Sequence, residues 1–114
     1  MTTFAIGRQA EAAAAKYLNS DGFKTIEQNY RTRWCEIDIV AEKDKVIYFV
    51  EVKYRQSNDY GSGLEYITPR KLQQMAFAAE FWLTDCARQQ AYQLAGIEVS
   101  GPDFAVTDFI DSLT

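Results

Sequence analysis

The sequence predicts one α/β (α+β) domain, a mixed central sheet flanked by helices in the order α-β-β-β-α-β-β. Three observations predict it. The chain has 114 residues and is 47% hydrophobic, which suits a single domain with a real core. Helical and alternating apolar patterns succeed one another along it without a repeat or low-complexity tract. Two β-rich runs are joined by the short polar link "EKDK", which makes them an antiparallel hairpin.

Each element has its own signal. Residues 4 to 20 form a helix. Their Ala run has high helix propensity, and Ile6, Ala10, Ala13, Ala14, Tyr17 and Leu18 recur at helical spacing. "NSDGF" stops it, with Gly22 as the C-terminal cap. "FKTIEQNYR" is the first strand. "WCEIDIVAE" alternates, with Ile37 and Ile39 on one face and Glu36 and Asp38 on the other. "VIYFVEVKYR" is the third strand and "QSNDYGSG" a loop. Thr68 to Arg88 is the second helix, with Thr68 as N-cap, Pro69 in the first turn and an apolar stripe of Leu72, Met75, Ala76, Ala79 and Leu83. Two strands follow, around 91–100 and 104–110.

Composition excludes several classes. No apolar run approaches a membrane span. "MTTFAIGRQAEAAAAKYL" carries Glu11 and no basic leader, so it is a poor signal peptide. Cys35 and Cys86 are too few for a disulfide framework, and with no His they make no zinc site. A reducing cytoplasm is therefore expected. The net charge of −4 argues against a nonspecific polyanion binder. The distribution is uneven, however. Residues 31–71 hold eight basic and seven acidic residues, whereas residues 72–114 hold six acidic residues and only Arg88. The middle of the chain can thus present a basic rim, and the acidic C-terminal part is a candidate surface for a partner protein or a second copy of the chain.

The hairpin brings carboxylates together. Closed over Lys43–Asp44, or over Glu42–Lys45, it sets Ala41 opposite Val46, Asp38 opposite Phe49 and Glu36 opposite Glu51. Cross-strand partners share a face, so Glu36, Asp38, Glu51 and Lys53 project together, with Asp38 diagonal to Glu51 at roughly 7–8 Å. Mg²⁺ takes oxygen ligands and commonly uses one or two carboxylates plus substrate phosphate. Bound metal activates water and stabilises phosphate charge, while an adjacent Lys supports the developing negative charge. Asp on one strand and Glu-x-Lys on the next therefore suit phosphodiester hydrolysis. Glu11, on the helix face of Gly7, Ala14, Ala15 and Leu18, adds a fourth group if small residues let that helix approach the sheet. Taken singly, each of these residues reads as a solvated face or a modest ion pair. One register unites them. The tyrosines and the aromatics of the second helix read as core and rim rather than as stacking platforms.

The ordered blocks "GRQAEAAAAKYL", "QNYR", "EID", "FVEVK" with its following Arg, and "TPRK" resemble the bacterial YraN-like family of uncharacterised proteins. That family is in turn similar to archaeal Holliday-junction resolvases and the PD-(D/E)xK nuclease superfamily. The resemblance covers residues 7 to about 83. Ala10 and Cys35 stand where the family usually has Gly. The resemblance implies a restriction-endonuclease-like sheet and Mg²⁺ or Mn²⁺ dependence. It makes Asp38 and Glu51 the metal carboxylates, joined by the Val52 carbonyl, Lys53 the catalytic lysine and Glu11 the helix glutamate. Lys71 falls at the basic position that opens the second helix. By type and location, Arg31, Arg33, Arg55, Arg70 and Lys71 are expected to contact DNA phosphates. The rival expectation is a non-catalytic nucleic-acid-binding or assembly module on the same fold.

Overall fold

The computed structural model describes residues 1–56, 64 and 67–114, so all of "QSNDYGSG" after Gln56 lies outside the described residues. The elements are α1 (Thr3–Ser20), β1 (Lys24–Arg31), β2 (Glu36–Lys43), β3 (Val46–Arg55), α2 (Pro69–Asp85), β4 (Tyr92–Ser100) and β5 (Ala105–Ile110), in the expected order. They build a five-stranded sheet, β1-β2-β3-β4-β5. Only β3 and β4 run parallel; the other neighbours are antiparallel. The parallel pair is the one connected through α2, because parallel neighbours need a crossover.

Helix ends follow local chemistry. The Thr68 hydroxyl accepts from the Lys71 N–H at 3.1 Å, and Pro69 occupies the first turn of α2. At the other end of α1, Gly22 takes φ +90°, and the Phe23 N–H reaches back to the Leu18 carbonyl at 2.9 Å. This is a Schellman stop that favours glycine.

The period of two sorts the strands onto two cores. On one face, Ile39, Ala41, Val50, Ala95, Ile97 and Val99 pack against Ala10, Ala14, Ala15 and Leu18 of α1. On the other, Val40, Ile47, Phe49 and Leu94 pack against Met75, Ala78, Ala79, Trp82 and Leu83 of α2. Trp82, 1% exposed, is the largest fully buried side chain. It meets Phe49 edge-on at 5.6 Å, and its indole N–H donates to Glu27 at 3.0 Å. Ile37 departs from the expected alternation and joins Tyr30 in the α2-side core. Gly7 has nothing within 4 Å of where a Cβ would stand, so the buried alanines, rather than Gly7, mark the close face of α1.

The hairpin register differs from the expected one by two residues. Lys43 pairs with Val46, Ala41 with Tyr48 and Ile39 with Val50. The turn holds only Asp44 and Lys45, both with positive φ (52° and 68°). Two successive positive φ values make a type I′ turn, whose twist matches the flanking strands better than a wider loop does. A shift of two keeps every side chain on its expected face. It does change who stands opposite whom, and this decides the site.

Left-handed backbone at Lys45 is strained for a residue with a Cβ. We expect Lys45→Gly to stabilise the fold by about 0.5–1 kcal/mol and Lys45→Val to destabilise it, read by urea denaturation. Equal stabilities would show that the turn is not the I′ turn described.

Candidate active site

The β2–β3 ladder ends at Ile39↔Val50. One step further along the same register, Asp38 stands directly across from Glu51, not diagonal to it. The next backbone donor on β3 is taken by a side chain: the Val52 N–H donates to Asp38 Oδ2 at 2.8 Å. Odd residues of β3 direct their backbone groups toward β4, since the Ile47 N–H meets the Ala91 carbonyl and the Arg55 carbonyl meets the Gly101 N–H. Even residues therefore face β2. The Val52 carbonyl lies on the same side of its strand as its N–H, toward the place where Asp38 has replaced the ladder.

Sheet pairing thus forces two carboxylates together on the α2 side. They border a shallow pocket with Glu36, Ile37, Phe49, Met75 and Ala78. Like charges directly opposite one another destabilise a strand pair. The effect falls on Asp38. Burial is the largest cause, and the neighbouring Glu51 the next, of a carboxyl pushed up from 3.8 to about 7; the Val52 N–H opposes the shift. Glu11 raises it slightly further, so the helix glutamate is close enough to be felt. Glu11 itself is raised, mainly by burial. With the Asn29 amide oriented to match donors with acceptors, Asn29 donates to Glu11 at 2.7 Å and accepts from Arg8 Nη1 at 2.6 Å. Glu11 is therefore held beside the pair by Asn29 and Arg8.

The predicted cations separate into three groups. Lys71 enters the site: its ammonium lies 3.1 Å from Glu51 Oε2, delivered by the first turn of α2. Lys53 lies two residues past Glu51 on the same face, is exposed, and makes no ion pair among the described residues. Arg31, Arg70 and Lys71 line an open groove of about 640 Å³ with Trp34, Glu36 and Phe77. Glu36 and Met75 border both this groove and the carboxylate pocket, so the two are continuous. Arg33 is exposed at the turn beside the groove, its guanidinium 5.5 Å above the Trp34 ring. Arg55 is placed elsewhere. It lies 3.8 Å from Glu98 and does not line the groove.

Glu98 is the residue that sequence reasoning missed. It is 1% exposed, pairs across the parallel ladder with Lys53, and accepts from the Thr107 hydroxyl at 2.8 Å. Its signal was present, since "LAGIEVS" interrupts an apolar strand with one carboxylate. A buried carboxylate requires partners, and Arg55 and Thr107 supply them.

Among the described residues, no three Asp, Glu, Cys or His side chains group closely enough to hold a metal ion. The oxygen donors in place are Asp38 and Glu51, with the Val52 carbonyl beside them. That set suits a hard cation that keeps several waters, such as Mg²⁺ or Mn²⁺.

Asp38 titrates higher in the folded chain than in the unfolded one. Its neutral form stabilises the fold below the ordinary carboxylate pKa, and this contribution is lost as pH rises through about 7. In a chelator, Asp38→Asn should therefore melt higher than the parent at pH 8, with the difference vanishing near pH 4. Parallel melting curves at both pH values would contradict the like-charge opposition.

Comparison with known proteins agrees with the ordered motifs. Residues 10–101 match the model of the uncharacterised protein family UPF0102. A UPF0102 protein of Vibrio parahaemolyticus is 40% identical over 79 residues, which cover 69% of this chain and 65% of that protein. One from Syntrophomonas wolfei is 45% identical over 83 residues, covering 73% of this chain and 72% of its own. One from Chlorobium chlorochromatii is 45% identical over 83 residues, covering 73% and 64%. The matched segment thus spans about two thirds of these relatives. No helix among the described residues is long and apolar enough to cross a membrane.

Proposed function

Since the chain belongs to the uncharacterised protein family UPF0102, we propose its activity from the site itself: metal-dependent hydrolysis of DNA phosphodiester bonds, with a role in DNA repair or recombination. One observation carries the reading. Asp38 and Glu51 face each other across two strands at an energetic disadvantage, and Asp38 is pushed up to about 7. A divalent cation between them would turn that repulsion into attraction.

Asp38, Glu51 and the Val52 carbonyl would hold Mg²⁺ or Mn²⁺. The bound ion would supply Lewis acidity and an activated water. The chain's own groups do the rest. The Val52 N–H holds the Asp38 carboxylate in one orientation. Lys53 orients the attacking water and supports charge on the phosphate. Lys71 neutralises Glu51 in the free protein, and its ammonium is placed to meet a substrate phosphate. Glu11 orients the site from α1. Arg31, Arg33 and Arg70 draw the DNA backbone along the groove. Asp38 must lose its proton to bind a cation, so metal binding favours pH above about 7.

A second reading, a binding module without catalysis, is favoured by the Lys71–Glu51 ion pair, which balances Glu51 without a metal. Titration of Mn²⁺ followed by calorimetry separates the two. We expect binding that Asp38→Asn and Glu51→Gln abolish, and cutting of branched, flapped or single-stranded DNA that Lys53→Ala slows by about 100-fold or more. Absence of carboxylate-dependent Mn²⁺ binding would remove the enzyme reading. Binding without cutting beyond the Lys53→Ala background would leave the module.

A further inference from the structure

The groove beside the carboxylates carries aromatic surface that core packing does not use. Trp34 is 64% exposed and Phe77 54%. Trp34 lies 5.7 Å from Phe81, and Phe81 lies 6.2 Å from Phe77, with both pairs of rings inclined at 39°. Single exposed rings are ordinary, but Trp34 and Phe77 border one groove and are bridged by the part-buried Phe81, which makes a patch that calls for a partner. Phe77 and Phe81 stand four residues apart on α2, on one side of the helix.

Trp34 is held outward by its turn. The Thr32 hydroxyl accepts from the backbone N–H groups of Trp34 and Cys35, both at 3.1 Å, and the Thr32 N–H donates to the Cys35 carbonyl at 2.9 Å. The indole is thereby presented beside the groove rather than folded under it. Arg31, Arg70 and Lys71 line the same groove, with Glu36 as the one acidic residue among the described residues lining it, and Lys71 reaches Glu51. Phe77 and Phe81 also border a second hollow with Glu80, Thr84 and Asp85.

Flat apolar faces next to guanidinium and ammonium groups match one ligand chemistry: nucleobase planes on a phosphate chain. Paired bases hide their faces within the duplex stack; unpaired ones present them. We infer that Trp34 and Phe77, backed by Phe81 between them, stack unpaired bases of a DNA strand whose phosphates follow Arg31, Arg70 and Lys71 to the Asp38–Glu51 pair. The inference rests on the phosphodiester reading above and names its substrate class, single-stranded or locally unpaired DNA.

The test uses the full chain in EDTA, so that it reads binding alone. The probes are an oligothymidylate of about twelve nucleotides, a strand of the same length with abasic sites throughout, and the matching duplex. Trp34 is the exposed indole and Trp82 the buried one, so intrinsic fluorescence reports the shelf directly. We expect oligothymidylate to quench Trp34 and to bind about tenfold tighter than the abasic strand or the duplex. Trp34→Ala and Phe77→Ala should each weaken it by about tenfold, with Trp34→Phe retaining most of the affinity. Both side chains are exposed, so unchanged melting temperatures will certify the fold of each variant. Equal affinity for the abasic strand, preference for duplex, or indifference to both alanine variants would overturn the inference. So would an effect of Trp34→Ala confined to self-association in light scattering, which would make the shelf an interface between copies. Failure of the catalytic reading looks different: base-dependent binding in EDTA would persist without Mn²⁺ binding or cutting. Cutting without base-dependent binding would remove the shelf and leave catalysis in place.

Discussion

Asp38 and Glu51 stand side by side because Lys43 pairs with Val46 across a two-residue turn. Move that register by one residue and the carboxylates project from opposite faces. Keep it, and backbone pairing holds the two acids at close range, with the Val52 N–H fixing one of them. Side-chain rotation does little to separate groups held opposite one another just past the end of a ladder. The disadvantage is met by the folding free energy of the whole sheet, whose central strands are buried on both faces. A rigid scaffold therefore stores a local electrostatic conflict between the two carboxyls.

The flanking helices then complete the site from opposite sides. α2 crosses one face to connect parallel strands, and this crossover brings its first turn, with Lys71 and Arg70, to the carboxylates. α1 covers the other face, yet Glu11 is felt at Asp38 because the β2–β3 ladder ends there. Three of the acids after residue 71 accept hydrogen bonds from hydroxyls of their own neighbours. Asp85 accepts from Tyr30, Glu80 from Tyr92 and Glu98 from Thr107. This explains how a chain of net charge −4 keeps a basic groove: several of its acids are turned onto their own neighbours, away from the groove.

Much was legible without coordinates. Strand and helix order followed from periodicity, the Thr68 cap and the Gly22 stop. The shared face of Asp38, Glu51 and Lys53 followed from period two, and it survived a register shift of two because parity is unchanged. Three features escaped for identifiable reasons. The choice of a I′ turn depends on Asp44 and Lys45 accepting positive φ, which Asp tolerates but Lys does not advertise. Glu98 looked like one more acid in an acidic half, because burial is a property of the assembled sheet. Phe77 looked like core, because its neighbours on α2 are core; only the placement of α2 on the sheet decides which side of the helix is covered.

The sequence by itself determined the elements, their order, their inward faces and the residue types available for phosphate chemistry, since these depend on interactions only a few residues apart. The tertiary structure decided which acid opposes which, that Lys71 rather than Lys53 meets Glu51, that Arg55 serves Glu98, and that Trp34 and Phe77 stand in the open on either side of Phe81. Those outcomes depend on register and on helix placement, which set distances between residues far apart in the chain. Local propensity carries no information about such distances until the sheet closes and the helices dock on it.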